Sequence, residues 1–206
     1  MNNVKIYIDD LTKFDVDFIT NECKFITIDT ETTGLDPLLD KLCLIQIYTG
    51  ENIFILKYDN NIKYNNLIKI MENKDVLKVF HHANFDLRFL IKNLEIESVN
   101  NVACTKISAK LLNGINENSG LKYLVKKYLD IDIDKSMQMS DWSNYNLSFD
   151  QIQYAVNDVI YLYKLWIKIK RLLENEGLYD IANSCFNYLP INAKLHNNGI
   201  ENIFIY

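Results

Sequence analysis

The sequence predicts a single α/β domain in which a mixed β-sheet is flanked by helices. Three observations carry this expectation. Three apolar or alternating runs follow one another early in the chain, strand-like and helix-like segments then alternate, and the second half is ruled by helical periodicity. An antiparallel opening, then alternation, then a helical half calls for a mixed sheet with helices packed on it. At 206 residues the chain is long enough for one sizeable core. Its two prolines and six glycines leave no flexible linker. The expected unit is residues 1–206, with a central core over about 24–176 and a C-terminal helix or tail over about 177–206.

Residues 4–8 form a short candidate strand. Residues 24–29, 42–48 and 52–56 run apolar or alternate and read as consecutive strands, with Gly50 and Glu51 turning the last pair into a hairpin. Residues 67–73 look helical, and 76–80 (VLKVF) read as a buried strand. Helices follow over 86–93, 106–112, 121–129 and 149–176. The last carries apolar residues at Ile152, Ala155, Val156, Val159, Ile160, Leu162, Leu165, Trp166 and Ile169, a wide face at helical spacing. Ser148 with Gln151 offers a capping box at its start, and Gly177 a stop at its end.

Hydrophobic residues make up 49% of the chain and charged ones 24%, an ordinary globular balance. No run approaches the roughly 20 apolar residues of a membrane span, and the N-terminus lacks the basic-then-apolar shape of a signal peptide. The four cysteines, Cys23, Cys43, Cys104 and Cys185, are scattered and form no Cys-x-x-Cys pair. That pattern suits a reduced, cytoplasmic protein better than a disulfide framework or a zinc site. The net charge of −5 argues against a grip on many phosphates of long nucleic acid. Two bound divalent cations would bring it near neutrality without making it basic.

Five residues are the most informative feature of the chain. Asp29 and Glu31 end the apolar run FITIDTE (25–31), and residues two apart on a strand share a face. Asp86 follows the strand-like run at 76–80 and opens a helical pattern. Tyr154 and Asp158, four apart on the long helix, lie one above the other. Four carboxylates converging from three elements repel one another unless cations sit between them, and clustered hard oxygens are what Mg²⁺ and Mn²⁺ prefer.

Asp-x-Glu, then Asp, then Tyr-x-x-x-Asp, in that order, resembles the DEDD superfamily of 3′–5′ exonucleases, in its tyrosine branch. LCLIQ (42–46), VFHHANFD (79–86) and KSMQMSDW (135–142) resemble the ribonuclease D family. CTKISAKL (104–111) and CFNYLP (185–190) are similar to the compact nano-RNase C subgroup. The resemblance spans residues 24–195, about all of the chain's inner part. It implies an RNase H-like (DnaQ-like exonuclease) fold and two divalent cations, Mg²⁺ or Mn²⁺. Asp29 would bridge both ions, Glu31 and Asp158 would share one, and Asp86 would face the other. A free tyrosine, with a pKa near 10, is a poor base at neutral pH. Tyr154 is therefore assigned to orienting the attacking water.

The resemblance further implies that residues 30–37, read as a loop, meet the terminal nucleotide. Thr32 and Leu35 are the candidates, Leu35 as a wedge between the last two bases. Leu35 as a plug of the core is an equal reading. His82 and Phe85 flank Asp86 and could stack on or bond a base or sugar, while a packed Phe and a solvent-facing His serve equally well. His81 and His82 as a metal pair lack a third nitrogen ligand. In the segment 135–142, Trp142 is expected to pack the loop and Asp141 to cap it. Lys106 and Lys110 read as a solvated basic stripe. The C-terminus departs from the relatives: Asn192 stands where an arginine is expected, and an acid is missing near His196 or Asn197. No helical HRDC extension fits in what remains.

Taken together, these features predict a metal-dependent exoribonuclease acting on short RNA down to dinucleotides and releasing nucleoside 5′-monophosphates. The resemblance also implies a homo-oligomer, an octameric ring. Ribonuclease D-like trimming of longer or structured RNA, a DNA exonuclease, and an inactive RNase H-fold binding module are the competing readings. The full carboxylate set counts against the last.

Overall fold

The computed structural model describes residues 3–205; the first two residues and the last of the expected 1–206 domain lie outside the described residues. Along the chain the elements are β1 (Asn3–Tyr7), α1 (Lys13–Glu22), β2 (Phe25–Thr32), β3 (Leu42–Tyr48), β4 (Asn52–Lys57), α2 (Asn65–Glu72), β5 (Leu77–Phe80), α3 (Ala83–Leu94), β6 (Val102–Cys104), α4 (Thr105–Asn113), α5 (Leu121–Leu129), α6 (Phe149–Asn175) and α7 (Tyr179–Asn197). The strands form one mixed sheet in the order β1-β4-β3-β2-β5-β6. β2, β3 and β4 are antiparallel, as the early apolar runs predicted, whereas β1, β5 and β6 add in parallel. This is the mixed sheet with flanking helices that the sequence predicted.

Alternation along the strands splits their side chains between two faces. Ile26, Ile28, Ile45, Ile47 and Phe54 join the larger core with Val16 and Ile19 of α1, Leu67 and Ile70 of α2, and Leu87 and Leu90 of α3. Leu44, Tyr48, Ile53 and Ile55 lie under α6, against Ala155, Val156 and Val159, with Trp142 beside them. Thr27 shares the second face, and its hydroxyl donates to the Val159 carbonyl at 2.8 Å. That bond lays α6 across β2, which sets the two acid-bearing elements side by side.

Several elements depart from expectation. β2 runs on to Thr32, paired with β3 and interrupted by a bulge between Glu31 and Thr32. Thr30, Glu31 and Thr32 are therefore strand residues, and the loop begins at Thr33 rather than Thr30. Helix α1 was not foreseen. Its buried face is narrow (Asp15, Val16 and Ile19), so periodicity was weak, yet Thr12 and Asp15 form a reciprocal capping box that the sequence carried. β6 has three residues and persists because it pairs with β5. Helix α6 ends as expected at Gly177, whose φ of 66° is the left-handed turn that lets Leu178 donate to the Leu173 carbonyl at 2.8 Å. The C-terminal segment is a 19-residue helix that tolerates Pro190 inside it. Among the described residues no helix is long and apolar enough to cross a membrane.

Candidate active site

β2 presents Asp29 and Glu31, and α6 presents Tyr154 and Asp158 one turn apart. One oxygen each from Asp29, Glu31 and Asp158 lies within 4.8 Å of the others. Glu31 and Asp158 are buried, and Asp29 keeps some solvent contact. Asp86 sits in the first turn of α3, buried and outside this tight trio, and accepts a hydrogen bond from the Thr30 hydroxyl at 2.8 Å. The fold thus brings all four acids to one region, three of them with an oxygen each inside a 4.8 Å group and the fourth held beside them by Thr30.

Burial and mutual repulsion dominate the electrostatics. Burial, then the charge of Asp158, pushes the Asp29 carboxyl up to about 7. Glu31 is held well above the usual range by burial and by Asp29 and Asp158. Burial and Asp29 raise Asp86 against the lowering bond from Thr30. Asp158 is raised by burial, with Lys135 opposing. Such a group of hard oxygens binds protons in place of cations when no cation is offered. The donor set is all carboxylate, with no histidine or cysteine in the trio, which suits Mg²⁺ or Mn²⁺ rather than zinc. The Tyr154 hydroxyl is pushed further up by burial and by Asp158 and Glu31, so it stays protonated and donates rather than serving as a base. Its ring is fixed by Trp142, 5.9 Å away between centroids.

A family described as 3′–5′ exonuclease matches residues 15–174. The chain belongs to the 3′–5′ exonuclease family. It is 26% identical over 202 residues to ribonuclease D of Haemophilus influenzae, covering 98% of this chain and 50% of that protein. The chain thus spans half the length of this curated relative. It is also similar to Brucella melitensis NrnC with bound Mg²⁺, with a TM-score of 0.89 and 32% identity over 99% of both chains. The same scores hold for Brucella melitensis NrnC bound to pGG, over 100% of both chains.

The remaining candidate residues fall at the end of β2, on the loop after it and at the start of α3. Leu35 is 79% exposed, which excludes the reading of it as a core plug. Its loop is shaped by Asp40, which accepts from the Asp36 backbone at 2.9 Å and lies so close to Gly34 that a Cβ there would stand 2.4 Å from the carboxylate. Arg88 of α3 reaches Asp36 at 3.7 Å, and Lys92 donates to the Pro37 carbonyl, so the helix that carries Asp86 also holds this loop. Thr32 spends its hydroxyl on the Gly34 carbonyl at 2.6 Å. His82 is exposed and lies nearly parallel to Phe85, their centroids 6.3 Å apart, while Phe85 leans on Phe89. His81 bonds Thr105 at 3.0 Å and joins no metal-ligand group among the described residues. Asn192 donates to the Asn84 side chain at 3.0 Å and Asn197 to the Arg88 carbonyl at 2.9 Å. These two amides therefore tie α7 to α3.

Two residues were missed as members of the site. Lys135, quoted only as part of a packing loop, places its Nζ 2.6 Å from Asp158 Oδ2 and 3.0 Å from the Tyr154 hydroxyl. Gln46 faces Asp29 across β2 and β3, is fully buried, and neither of its amide atoms has a hydrogen-bond partner among the described residues. An amide inside LCLIQ, a run otherwise apolar, was the available signal for Gln46. For Lys135 the signal was its place at the head of KSMQMSDW (135–142), although nothing in local spacing tied it to Asp158.

Proposed function

We infer that this protein is a divalent-cation-dependent 3′–5′ exoribonuclease that takes short RNA, down to dinucleotides, and releases nucleoside 5′-monophosphates. The observation that carries this reading is the convergence of Asp29, Glu31 and Asp158 beside Asp86 and Tyr154. The family match, the likeness to ribonuclease D and the whole-length likeness to an NrnC bound to pGG support it. Asp29, Glu31, Asp86 and Asp158 are assigned as ligands of the cations, and the buried, mutually repelling state of these acids is the fit that supports the assignment. Divalent cations bound there supply charge to offset the anionic transition state and lower the pKa of water. Tyr154, protonated and fixed against Trp142, orients the water by hydrogen bonding. Leu35, projecting from a loop clamped by Asp40 and Arg88, wedges against the terminal bases, and Thr32, His82 and Phe85 line the same approach. Exposed Ile6, Ile8 and Phe14 near the β1 edge support assembly into a homo-oligomer.

The net charge of −5 favours a substrate with few phosphates. Incubation with end-labelled RNAs, from a dinucleotide to a long single strand, with and without EDTA, tests the reading. Metal-dependent conversion of the dinucleotide to mononucleotides, faster than the long strand is trimmed, is the expected result. Preference for the long strand would replace it with ribonuclease D-like trimming, and no hydrolysis of RNA would end it.

A further inference from the structure

Lys135 lies in the irregular segment between α5 and α6, 21% exposed at its side chain. Its ammonium donates to Asp158 at 2.6 Å and to the Tyr154 hydroxyl at 3.0 Å, and stands 4.9 Å from the Tyr154 ring centroid. It is the opposing positive charge for Asp29, Glu31 and Asp158 alike. Two firm anchors hold its segment farther along. Trp142 is buried, and Gln151 donates to the Ser140 hydroxyl at 3.1 Å and to the Asp141 carbonyl at 3.0 Å. Around Lys135 itself the chain is a local turn, closed by Ser136 on Asp134 and by Gln138 on the Lys135 carbonyl. A lysine stem with four rotatable bonds on such a turn moves without disturbing the anchors.

An ammonium hydrogen-bonded to Asp158 and a divalent cation ligated by the same carboxylate repel each other at short range in a buried setting. A displaced ammonium then needs another anion, and the anion that comes to this site is a phosphate of the substrate. We propose that Lys135 is an internal counter-cation that yields Asp158 to a divalent cation and re-pairs with a phosphate of bound RNA, so that metal binding and RNA binding are linked through it. The proposal rests on the exoribonuclease reading. Linkage is reciprocal: RNA tightens metal binding by the factor with which metal tightens RNA binding.

Calorimetric titration with Mn²⁺, in the absence and presence of a dinucleotide with a non-hydrolysable methylene-phosphonate linkage, reads both halves. Lys135→Met is expected to bind Mn²⁺ about tenfold tighter than wild type when no dinucleotide is present. The tightening of Mn²⁺ binding by the dinucleotide, on the order of five- to a hundredfold in a linked site, should shrink toward onefold in this variant and persist in Lys135→Arg. Lys135→Gln, which can still donate to Tyr154, serves if the methionine variant does not fold. Unchanged or weaker Mn²⁺ affinity in a folded neutral variant overturns the proposal, and so does an intact dinucleotide effect. These titrations read binding alone. Failure of wild-type protein to cleave RNA would therefore strike the proposed function, and a flat Mn²⁺ response to the neutral variants would strike the role of Lys135.

Discussion

Asp29, Glu31, Tyr154 and Asp158 stand on a paired strand and a 27-residue helix, whereas Leu35 and Lys135 belong to segments without regular structure. The first group is positioned by backbone hydrogen bonding and by packing of Val156 and Val159 of α6 against Leu44 of β3. The second is positioned by side-chain clamps: Asp40 and Arg88 on the loop of Leu35, and Gln151 with Trp142 beyond Lys135. Rigid elements hold like charges together against repulsion. Clamped loops can answer to what binds. Under the proposed function, chemistry falls to the rigid elements and selection to the clamped loops, and each can be perturbed separately.

The largest effect is expected from the rigid side. Alanine at Asp29, Glu31, Asp86 or Asp158 should lower hydrolysis by several orders of magnitude, read as single-turnover cleavage of a labelled dinucleotide. Thermal unfolding of the metal-free variants should be no easier than for wild type, because each removes buried like charge. Near-normal cleavage in any one of the four would remove that acid from the ligand set.

Tyr154→Phe should be slower by about 10²–10³ and keep its metal affinity, since it loses one positioned hydrogen bond. A collapse of Mn²⁺ binding in calorimetry would instead make Tyr154 a support of the metal ligands and blur the division between the two groups.

On the clamped side, Leu35→Ala should weaken dinucleotide binding on the order of tenfold, the scale of losing one buried leucine contact, while Mn²⁺ affinity stays put. Equal loss for dinucleotide and mononucleotide would argue against a wedge between two bases.

The smallest expected effect is on stability as pH changes. Folding raises the Asp29 carboxyl from its ordinary 3.8 to about 7, and Glu31, Asp86 and Asp158 rise with it. The folded metal-free protein therefore holds protons that the unfolded chain has already lost across that window. Its stability is greatest below the ordinary carboxylate range and falls as pH rises toward about 7. Cations replace those protons, so the gain in Tm on adding Mg²⁺ should be larger at about pH 8 than at about pH 5. A gain that does not vary with pH would mean that the acid cluster is not where the cation binds.

Asp29 with Glu31 and Tyr154 with Asp158 were legible as pairs because strand and helix periods turn spacing into geometry, whereas Asp86 was joined to them by the resemblance of the ordered motifs. Residues i and i+2 of β2 and i and i+4 of α6 had to share faces wherever the elements went. Long elements with full apolar faces, such as α6, were legible for the same reason. Helix α1 was not, although Thr12 and Asp15 announced it, because a face of only Asp15, Val16 and Ile19 leaves almost no period to read. β6 escaped because three residues carry no pattern until β5 pairs with them.

By itself, then, the chain order of acids, their spacing and the apolar patterning determined that this protein would carry a carboxylate site on a mixed sheet. Only the tertiary structure decided which three acids stand closest, that Asp86 is held by Thr30, and that Leu35 points outward rather than into the core. It alone brought Lys135 to Asp158, 23 positions away, and Gln46 opposite Asp29. The physical reason is range. Periodicity is a property of neighbours along the backbone, whereas an ammonium from an irregular segment meets a carboxylate on a helix through packing that no local spacing encodes.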